Sequence, residues 1–537
     1  MTEGSRADLA LRLVVTLVAC SFMALEAPPS NVHLLQWVGL VPMFWVIRPS
    51  PAPADGERPR YRRSNRWLGY LYGLVGVALI FRWLVYTIDT FSNLPTAVAI
   101  GVVLLFSSVF GAPYVVLWGS VHPLRKRLGA GWVLAWPALW VLIEYLQIKL
   151  FLFPYNHGVG QYQVPLTWQS VGVTGIWGLT FLIFVGNAVL GECWYRWRET
   201  RPGGARAGDA FEPPGYAALG FAIGLLAVLI YGSYRYEAVE AELREARVVR
   251  VAQLQSHRDM EERLIVGARG DLKEWMDKTA PIPRDTVDLV VWPEGATPYL
   301  NDRGRPNAIR ARLQSMARKG NYAMVVGGGT VIDVPPDDYE VYNSVYAFDG
   351  EGRPVGQYDK MIPLPFGEYL PFGDYVPWLR DAIGGIGNFR AGTEATVFEI
   401  AGARMAAPIC YEAILPDFCR GYENIDVLIN VTNDAWWGDS AGPWQHGMLA
   451  AARSTELGVP MIRSTYSGAS FLVEPHGVIH SQTGLFEATE RRVELRLKTF
   501  PTIYARFGDW FVGVCALLFV GLLGAARLSG PGSSKED

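Results

Sequence analysis

Eight windows of roughly 20 residues, dominated by apolar side chains and holding few charges, constrain this chain more than any other feature; they run about 8–26, 32–48, 67–88, 96–120, 131–152, 173–194, 216–234 and 507–527. A helix needs about 20 apolar residues to cross about 30 Å of hydrocarbon, so the windows predict about eight transmembrane helices. A wholly soluble fold is excluded. The composition agrees, with 50% hydrophobic residues, only 18% charged, and 19 Trp, 25 Tyr and 24 Phe in 537 residues. Disordered, collagen-like and disulfide-scaffold classes are excluded on the same grounds. A net charge of -3 provides no basic field, so nucleic acid is not an expected partner.

Basic residues are spread unevenly between the windows. Arg48, Arg58, Arg60, Arg62, Arg63 and Arg66 follow the second, Arg125, Lys126 and Arg127 the fourth, and Arg196, Arg198, Arg201 and Arg206 the sixth, while Asp89 to Pro95 carries none. By the positive-inside rule these loops and both termini face the cytoplasm, and the stretch from about 235 to 506 faces outward. The expected organisation is a membrane domain over 1–235 with seven helices, an outward domain over 244–500, a last membrane helix over 507–527 and a cytoplasmic tail over 528–537. Leu17-Val18-Ala19-Cys20 imitates a lipobox, but apolar residues resume after Cys20 and the first window is expected to stay as a membrane helix. Pro49 to Arg66 and Pro202 to Gly215 read as exposed linkers. Glu144 is the costly residue within a span; it either lines a lipid access path or pairs with a partner such as Arg82.

From about 244 to 500 the pattern changes to short β-rich runs alternating with helical windows. Val248–Gln255, Thr286–Trp292, Tyr322–Val331, Arg404–Ile409, Ile425–Val431 and Met461–Tyr466 are predicted strands, with helices near 259–278, 304–319 and 443–457. This is an α/β layer domain large enough to fold alone. Gly327-Gly328-Gly329-Thr330 has no Gly-Lys-Ser/Thr after it, so a strand-end turn is expected there rather than a phosphate loop. The seven histidines show no ligand spacing, and no catalytic metal is expected.

Three polar positions each follow a strand-like run and are expected to collect at one edge of the sheet. Glu294 ends Val290-Val291-Trp292-Pro293-Glu294, Lys360 follows Gln357-Tyr358-Asp359, and Cys410 follows Pro408-Ile409. A predicted helix near Leu415 to Tyr422 would favour a thiolate at Cys410 through its dipole. Singly they read as a solvated acid, a surface charge and a structural cysteine. Together they offer a proton acceptor, a fixed positive charge and a nucleophile, the needs of acyl transfer through a covalent intermediate. Cys419, the other cysteine in polar sequence, is expected to stay unpaired with Cys410; Cys20, Cys193 and Cys515 fall in apolar runs.

Trp292-Pro293-Glu294, the run Tyr358-Asp359-Lys360-Met361-Ile362-Pro363-Leu364-Pro365-Phe366-Gly367-Glu368-Tyr369, and Ile409-Cys410-Tyr411-Glu412 resemble the Glu-Lys-Cys signature of the nitrilase superfamily. With Asn433 to Ser440, Gly442 to His446 and Arg463-Ser464-Thr465, set between a bundle of apolar windows and one last window, the whole chain resembles the apolipoprotein N-acyltransferase family, the membrane-embedded branch of that superfamily. The resemblance implies an αββα sandwich and a ping-pong reaction in the bacterial inner membrane. Glu294 would take the Cys410 proton, a phospholipid would give its acyl chain to the sulfur, and the α-amine of a diacylglyceryl-cysteine apolipoprotein would receive it. Lys360 would stabilise the oxyanions and lower the thiol pKa. The resemblance implies no cofactor, and a single copy of the chain is the expected form. It also implies that Glu368 and Glu412 shape the site, with Glu412 orienting the lysine, and that Tyr411 lies beside the acyl chain. Aromatics in Pro371 to Trp378 suit either a loop dipping into lipid or a cap on the core. Gly295 stands where the family often has Ser, Tyr466-Ser467 where Asn is frequent, and the stretch after Gln255 lacks the expected Trp. Two rivals remain open: a membrane-tethered amidase using water as acceptor, and a transporter with an accessory domain, which would not need Cys410.

Overall fold

Runs such as Leu289-Val290-Val291-Trp292, apolar at every position, can be satisfied only by burial on both faces, and all four residues are buried in a computed structural model of the chain. The structure describes residues 3–48, 63–92, 94–151, 155–202, 206, 214–303, 305–334, 338–371 and 387–528. Most of both linkers, the aromatic stretch 372–378 and the tail after 528 therefore lie outside the described residues. The chain divides into two compact units, one of Met1–Arg82, Ile100–Ser233 and Phe507–Asp537, the other of Trp83–Ala99 and Tyr234–Arg506.

In the second unit the described strands form two sheets. The first contains β1 (Arg247–Gln255), β2 (Leu289–Trp292), β3 (Tyr299–Asp302), β4 (Arg305–Pro306), β5 (Ala323–Val334), β6 (Asp338–Phe348), β7 (Pro354–Asp359) and β14 (Thr489–Leu497). Its order is β14-β1-β2-β5-β3-β4, with β6 on β5 and β7 on β6. The second runs β13-β12-β11-β10-β9-β8, from β8 (Val397–Ile400), β9 (Ala403–Ala406), β10 (Val427–Thr432), β11 (Met461–Thr465), β12 (Phe471–Val473) and β13 (Ile479–His480).

Side-chain alternation sorts the layers. Val290, Trp292, Met324 and Val326 point to a core shared with Trp275 and Leu313 of the helices Met260–Thr279 and Ala308–Gly320. Val251, Gln253 and Val291 point the other way, onto Ile462, Ser464 and Leu472 of the second sheet. The helix Ala441–Leu457 packs against residues of the second sheet, Gly447 on Phe471 and His446 on Arg463. The result is the αββα sandwich. Side-chain caps start the helices where the sequence predicts them: Asp259 accepts from the Glu262 amide at 2.8 Å, and Asn307 from Ile309 and Arg310 at 3.1 Å.

Gly327, Gly328 and Gly329 lie inside β5 and not in a strand-end turn. The reason is steric. A side chain at Gly327 would collide with the Pro293-Glu294 backbone and one at Gly328 with the Thr297 hydroxyl, so the glycines let the turn after β2 lie flat on β5.

Among the described residues five helices are long and apolar enough to cross a membrane, or six if Asn65–Ile80 and Leu84–Phe91 are counted as one span. One of the five, Thr96–Leu150, takes in two of the eight sequence windows; its 55 residues would extend about 80 Å if straight, and it is broken at Ala112-Pro113 and again at Gly129–Gly131. The window 32–48 is a 3-10 turn, His33–Trp37, followed by the six-residue helix Val41–Val46. Phe44 of that short helix meets Trp118, Trp132 and Trp136 with ring centroids 5.3–5.8 Å apart, which accounts for part of the tryptophan content. Glu144 pairs with His157 at 2.6 Å and not with Arg82. Arg82 is exposed and donates to the Leu79 carbonyl. The turn His157–Gln161 brings the imidazole and the His157 amide to Glu144, which also accepts from the Trp140 indole at 2.9 Å.

Candidate active site

Three strand ends supply the candidate residues, and they belong to both sheets rather than to one edge of one sheet. Pro293 has no amide hydrogen to continue β2, and Glu294 follows it. Gly295 turns the chain with φ of 64°, a conformation glycine adopts without strain, which accounts for glycine where Ser is frequent. Lys360 follows β7, its amide donating to the Asn343 carbonyl at 2.8 Å. Cys410 comes from the second sheet, where Ile409 makes a last parallel bridge to Val431 before the five-residue 3-10 turn Cys410–Ile414.

Lys360 is 1% exposed, with Nζ 2.6 Å from Glu368 Oε2 and 3.6 Å from Glu294 Oε1. Burial opposes its charge, yet the two carboxylates raise its pKa above the ordinary lysine value, so it is a fixed cation. Asn343 on β6 donates from one amide nitrogen to Glu294 at 2.6 Å and Glu368 at 2.8 Å, tying the acids together. Glu294 also accepts from the Asn433 amide at 2.9 Å, and Glu368 from the Leu364 amide at 2.7 Å. Burial raises the Glu294 carboxyl above its ordinary range, with Glu368 adding to the effect and Lys360 opposing it. A carboxyl so placed is a stronger proton acceptor than an exposed one.

Cys410 is 8% exposed and holds a φ of 51°, the left-handed region that a non-glycine residue enters at a cost of about 1–3 kcal/mol. Its thiol pKa is raised, first by burial and then by the Glu294 carboxylate, while Lys360 pulls it down. Lowering by Lys360 and a helix dipole is therefore outweighed. The expected helix at 415–422 is the five-residue Pro416–Arg420, too short to supply much field. The resting thiol is protonated, and an acceptor must remove its proton.

Glu412 is fully buried and gathers four donors: the Tyr358 hydroxyl at 2.8 Å and the amides of Met361 at 2.7 Å, Ile362 at 2.9 Å and Ile409 at 2.9 Å. It fastens the chain after Lys360 to the residue before Cys410. Burial pushes its carboxyl up to about 7, against the lowering effect of Lys360 and of the donors around it. Tyr411 is buried beside Cys410. Cys419 is buried with Sγ 3.6 Å from the Glu412 carbonyl, and no described cysteine is in a disulfide.

Three residues of the blocks that carry the resemblance, with Asn430, form a network that those blocks gave no sign of. Asp434, His446, Arg463 and Asn430 are all buried. Arg463 Nη2 donates to Asp434 at 2.7 Å and its Nη1 to Asn430, while His446 Nδ1 lies 2.9 Å from Asp434. Asn430 donates at 3.4 Å to the Cys410 carbonyl. Burial works against the Asp434 charge, but Arg463 and His446 hold its carboxyl below the ordinary value. Trp437 stands edge-on to His446 at 4.8 Å and meets Trp83 at 5.4 Å. Trp83 donates to Gln445 at 3.0 Å, Thr87 to the Trp436 carbonyl at 3.2 Å, and Phe91 meets Trp436 at 4.7 Å. The helix Leu84–Phe91 is thus docked beside the site within the second unit. Only its aromatic residues could have signalled this.

Tyr466, in place of the frequent Asn, donates to Asp271 at 2.7 Å and packs on Trp275. The arrangement of Cys410, Glu294 and Lys360 can support nucleophilic attack on a carbonyl with base assistance and a cation for the oxyanion.

Residues 249–500 match the carbon-nitrogen hydrolase family, and residues 19–189 match the apolipoprotein N-acyltransferase N-terminal domain. A solved structure of an amidase from Nesterenkonia sp. aligns with a TM-score of 0.34 and 18% identity, covering 50% of this chain and 95% of that one. The apolipoprotein N-acyltransferase of Geobacter metallireducens is 28% identical over 92% of this chain and 91% of its own length. That of Brucella melitensis biotype 1 is 31% identical over 88% of each. With this identity over nearly the full length of both proteins, and both domains in the same order, the chain belongs to the apolipoprotein N-acyltransferase family.

Proposed function

We propose that this chain moves a fatty acyl group from a membrane phospholipid to the N-terminal amine of a diacylglyceryl-cysteine apolipoprotein, through a thioester on Cys410. The observation that carries the reading is a buried, conformationally constrained Cys410 beside the Glu294–Lys360–Glu368 cluster, in a chain of this family. In the first half-reaction Glu294 takes the thiol proton as sulfur attacks the ester carbonyl. The ester C–O bond breaks, the proton passes to the leaving oxygen, and lysophospholipid departs. In the second, the amine attacks the thioester, Glu294 accepts its proton, the C–S bond breaks and the thiolate is reprotonated. An ester and an amine become an alcohol and an amide, a downhill exchange. Lys360 stabilises both oxyanions, a contribution of roughly 3–4 kcal/mol for a well-placed donor. Glu368 holds Lys360, Glu412 fixes the two chain segments against each other, and Tyr411 flanks the acyl chain.

The same reading places the chain in the bacterial inner membrane, with residues 1–235 and 507–527 as membrane domain and last span, 244–500 on the periplasmic side, and 528–537 in the cytoplasm. Unequal basic content of the loops supports this orientation. Incubating the purified protein with labelled phospholipid and a diacylglyceryl peptide tests the reaction. Label should appear as amide on the peptide. Label released as free fatty acid whether or not peptide is present would select the hydrolase instead.

A further inference from the structure

The membrane unit carries a cavity that the acyl-transfer chemistry does not use. It measures about 460 Å³, within the roughly 300–1,000 Å³ common for small-ligand sites, and opens between the C-terminal ends of the helices Tyr114–Leu128 and Ile176–Glu199. Four cationic side chains line it, Arg125, Lys126, Arg196 and Arg206, against two carboxylates, Glu192 and Glu199. Basic residues at helix C-termini offset the helix dipole, and that alone would account for solvated charges. The arrangement here is more ordered.

Glu192 is 3% exposed and its oxygens are saturated: Arg125 Nε donates at 2.7 Å, Trp132 Nε1 at 2.8 Å and Arg196 Nε at 2.9 Å. Arg125 is further tied to Glu199 at 2.7 Å. Glu192 therefore grips Arg196 by its Nε edge only. Neither Nη nitrogen of Arg196 makes a hydrogen bond among the described residues, and Nζ of Lys126 has no hydrogen-bond or ion-pair partner among them. A guanidinium held from behind with a free two-nitrogen edge is preorganised for bidentate binding of a tetrahedral oxyanion, and a neighbouring ammonium adds a point charge. The two glutamates, already engaged, leave the cavity with an excess of positive charge.

We propose that this cavity binds a phosphate group through Arg196 and Lys126. Its setting at the basic end of Ile176–Glu199, an apolar helix long enough to cross a membrane, makes the phosphodiester of an anionic lipid headgroup the ligand, held without turnover. Inorganic phosphate shares the recognised chemistry, and the test separates the two sources.

The full-length protein, delipidated in detergent, is exposed to ether-linked phosphatidylglycerol, whose chains thioester chemistry cannot remove, to ether-linked phosphatidylcholine, or to inorganic phosphate. Retained lipid is counted by native mass spectrometry and thermal shifts are read in parallel. Wild type should retain one more phosphatidylglycerol than Arg196→Gln/Lys126→Gln, with at least tenfold weaker retention in the variant, and a smaller difference for phosphatidylcholine, whose trimethylammonium the cationic cavity repels. Lipid held at the catalytic site persists in both proteins and cancels. Should the double variant fail to fold, Lys126→Glu, at an exposed position, must still lower retention. A thermal shift with inorganic phosphate alone, lost in the variants, while phosphatidylglycerol retention is unchanged, would keep the phosphate site and assign it to the free ion. Equal retention of every ligand by wild type and variants overturns the proposal.

Discussion

Replacing Gly327 with alanine tests whether the position of Glu294 matters to a fraction of an ångström. A Cβ there would stand 2.7 Å from the Glu294 Cα and closer still to the Pro293 carbonyl oxygen, whereas real Cβ atoms essentially never come within 3.0 Å and ordinary contact begins at 3.4 Å. The turn must therefore retreat by about 0.8–1.2 Å at the Pro293 oxygen, 2.2 Å away, and by about 0.3–0.7 Å at the Glu294 Cα. No rotamer change relieves this, because both neighbours are backbone and Gly327 is held in register opposite Val345. Reacting groups tolerate about 0.5 Å of misplacement, and 1 Å costs about 10²-fold. Acylation should slow by about 10–10²-fold while the fold loses only the roughly 1–3 kcal/mol typical of overpacking. The assay follows the hydroxylamine-labile acyl mass on the Cys410 peptide after mixing with phospholipid, with a thermal melt alongside. Gly329→Ala is the comparator, since its Cβ would meet the ring of Tyr299, which is 44% exposed and free to swing; its acylation should stay close to wild type. A folded Gly327→Ala protein that acylates at the wild-type rate would refute the assignment of Glu294 as a positioned base.

Cys410→Ser should abolish turnover, and wild type given phospholipid alone should carry the acyl mass on Cys410 and none on Cys419; thiol counting on denatured, non-reduced protein should find both sulfurs free. Glu294→Gln should lose acylation with folding intact. Because burial raises the Glu294 pKa and the base must be ionised, the acid limb of the wild-type rate profile should fall above pH 4.5, and a limb at or below that value would contradict the site electrostatics. Lys360→Met should slow both half-reactions by about 10²–10³, and a change confined to the apparent KM for lipid would remove it from the oxyanion role. Asp434→Asn leaves Arg463 buried without its anion and should cost about 3–5 kcal/mol in a melt. The Asp434 carboxyl is held below its ordinary 3.8, so its contribution is complete above that pH and disappears as pH falls through the lower folded value. Equal acid stability of wild type and Asp434→Asn would count against the network.

Glu294 and Cys410 stood out as candidates because each closes a short apolar run, and Lys360 because it follows the strand run Gln357-Tyr358-Asp359. The partner that joins the acids, Asn343, was hidden: Asp338–Phe348 mixes Tyr, Asn, Ser and Glu, and reads as a strand only once β5 pairs with it along its length. The triple glycine misled for a related reason, since what Gly327 makes room for is a turn more than 30 residues earlier in the chain. The protonation state of Cys410 was illegible too, because local sequence suggests a nearby lysine and helix but not the burial that outweighs both. The pairing of Glu144 likewise depended on where a turn 13 residues later placed His157.

The helix Leu84–Phe91 also sets a clock on synthesis. Thr87 and the Trp436 carbonyl that it contacts are 349 residues apart. At roughly 5–20 residues per second, a ribosome takes about 17–70 s to travel that distance. Through that interval Trp83 and Phe91 have been made while the tryptophans that cover them have not. The nascent chain must keep an aromatic, half-finished surface from other partners until the second sheet emerges. A shortened protein beginning at residue 244 would never receive that helix at all, leaving Trp436 and Trp437 without the rings that pack on them.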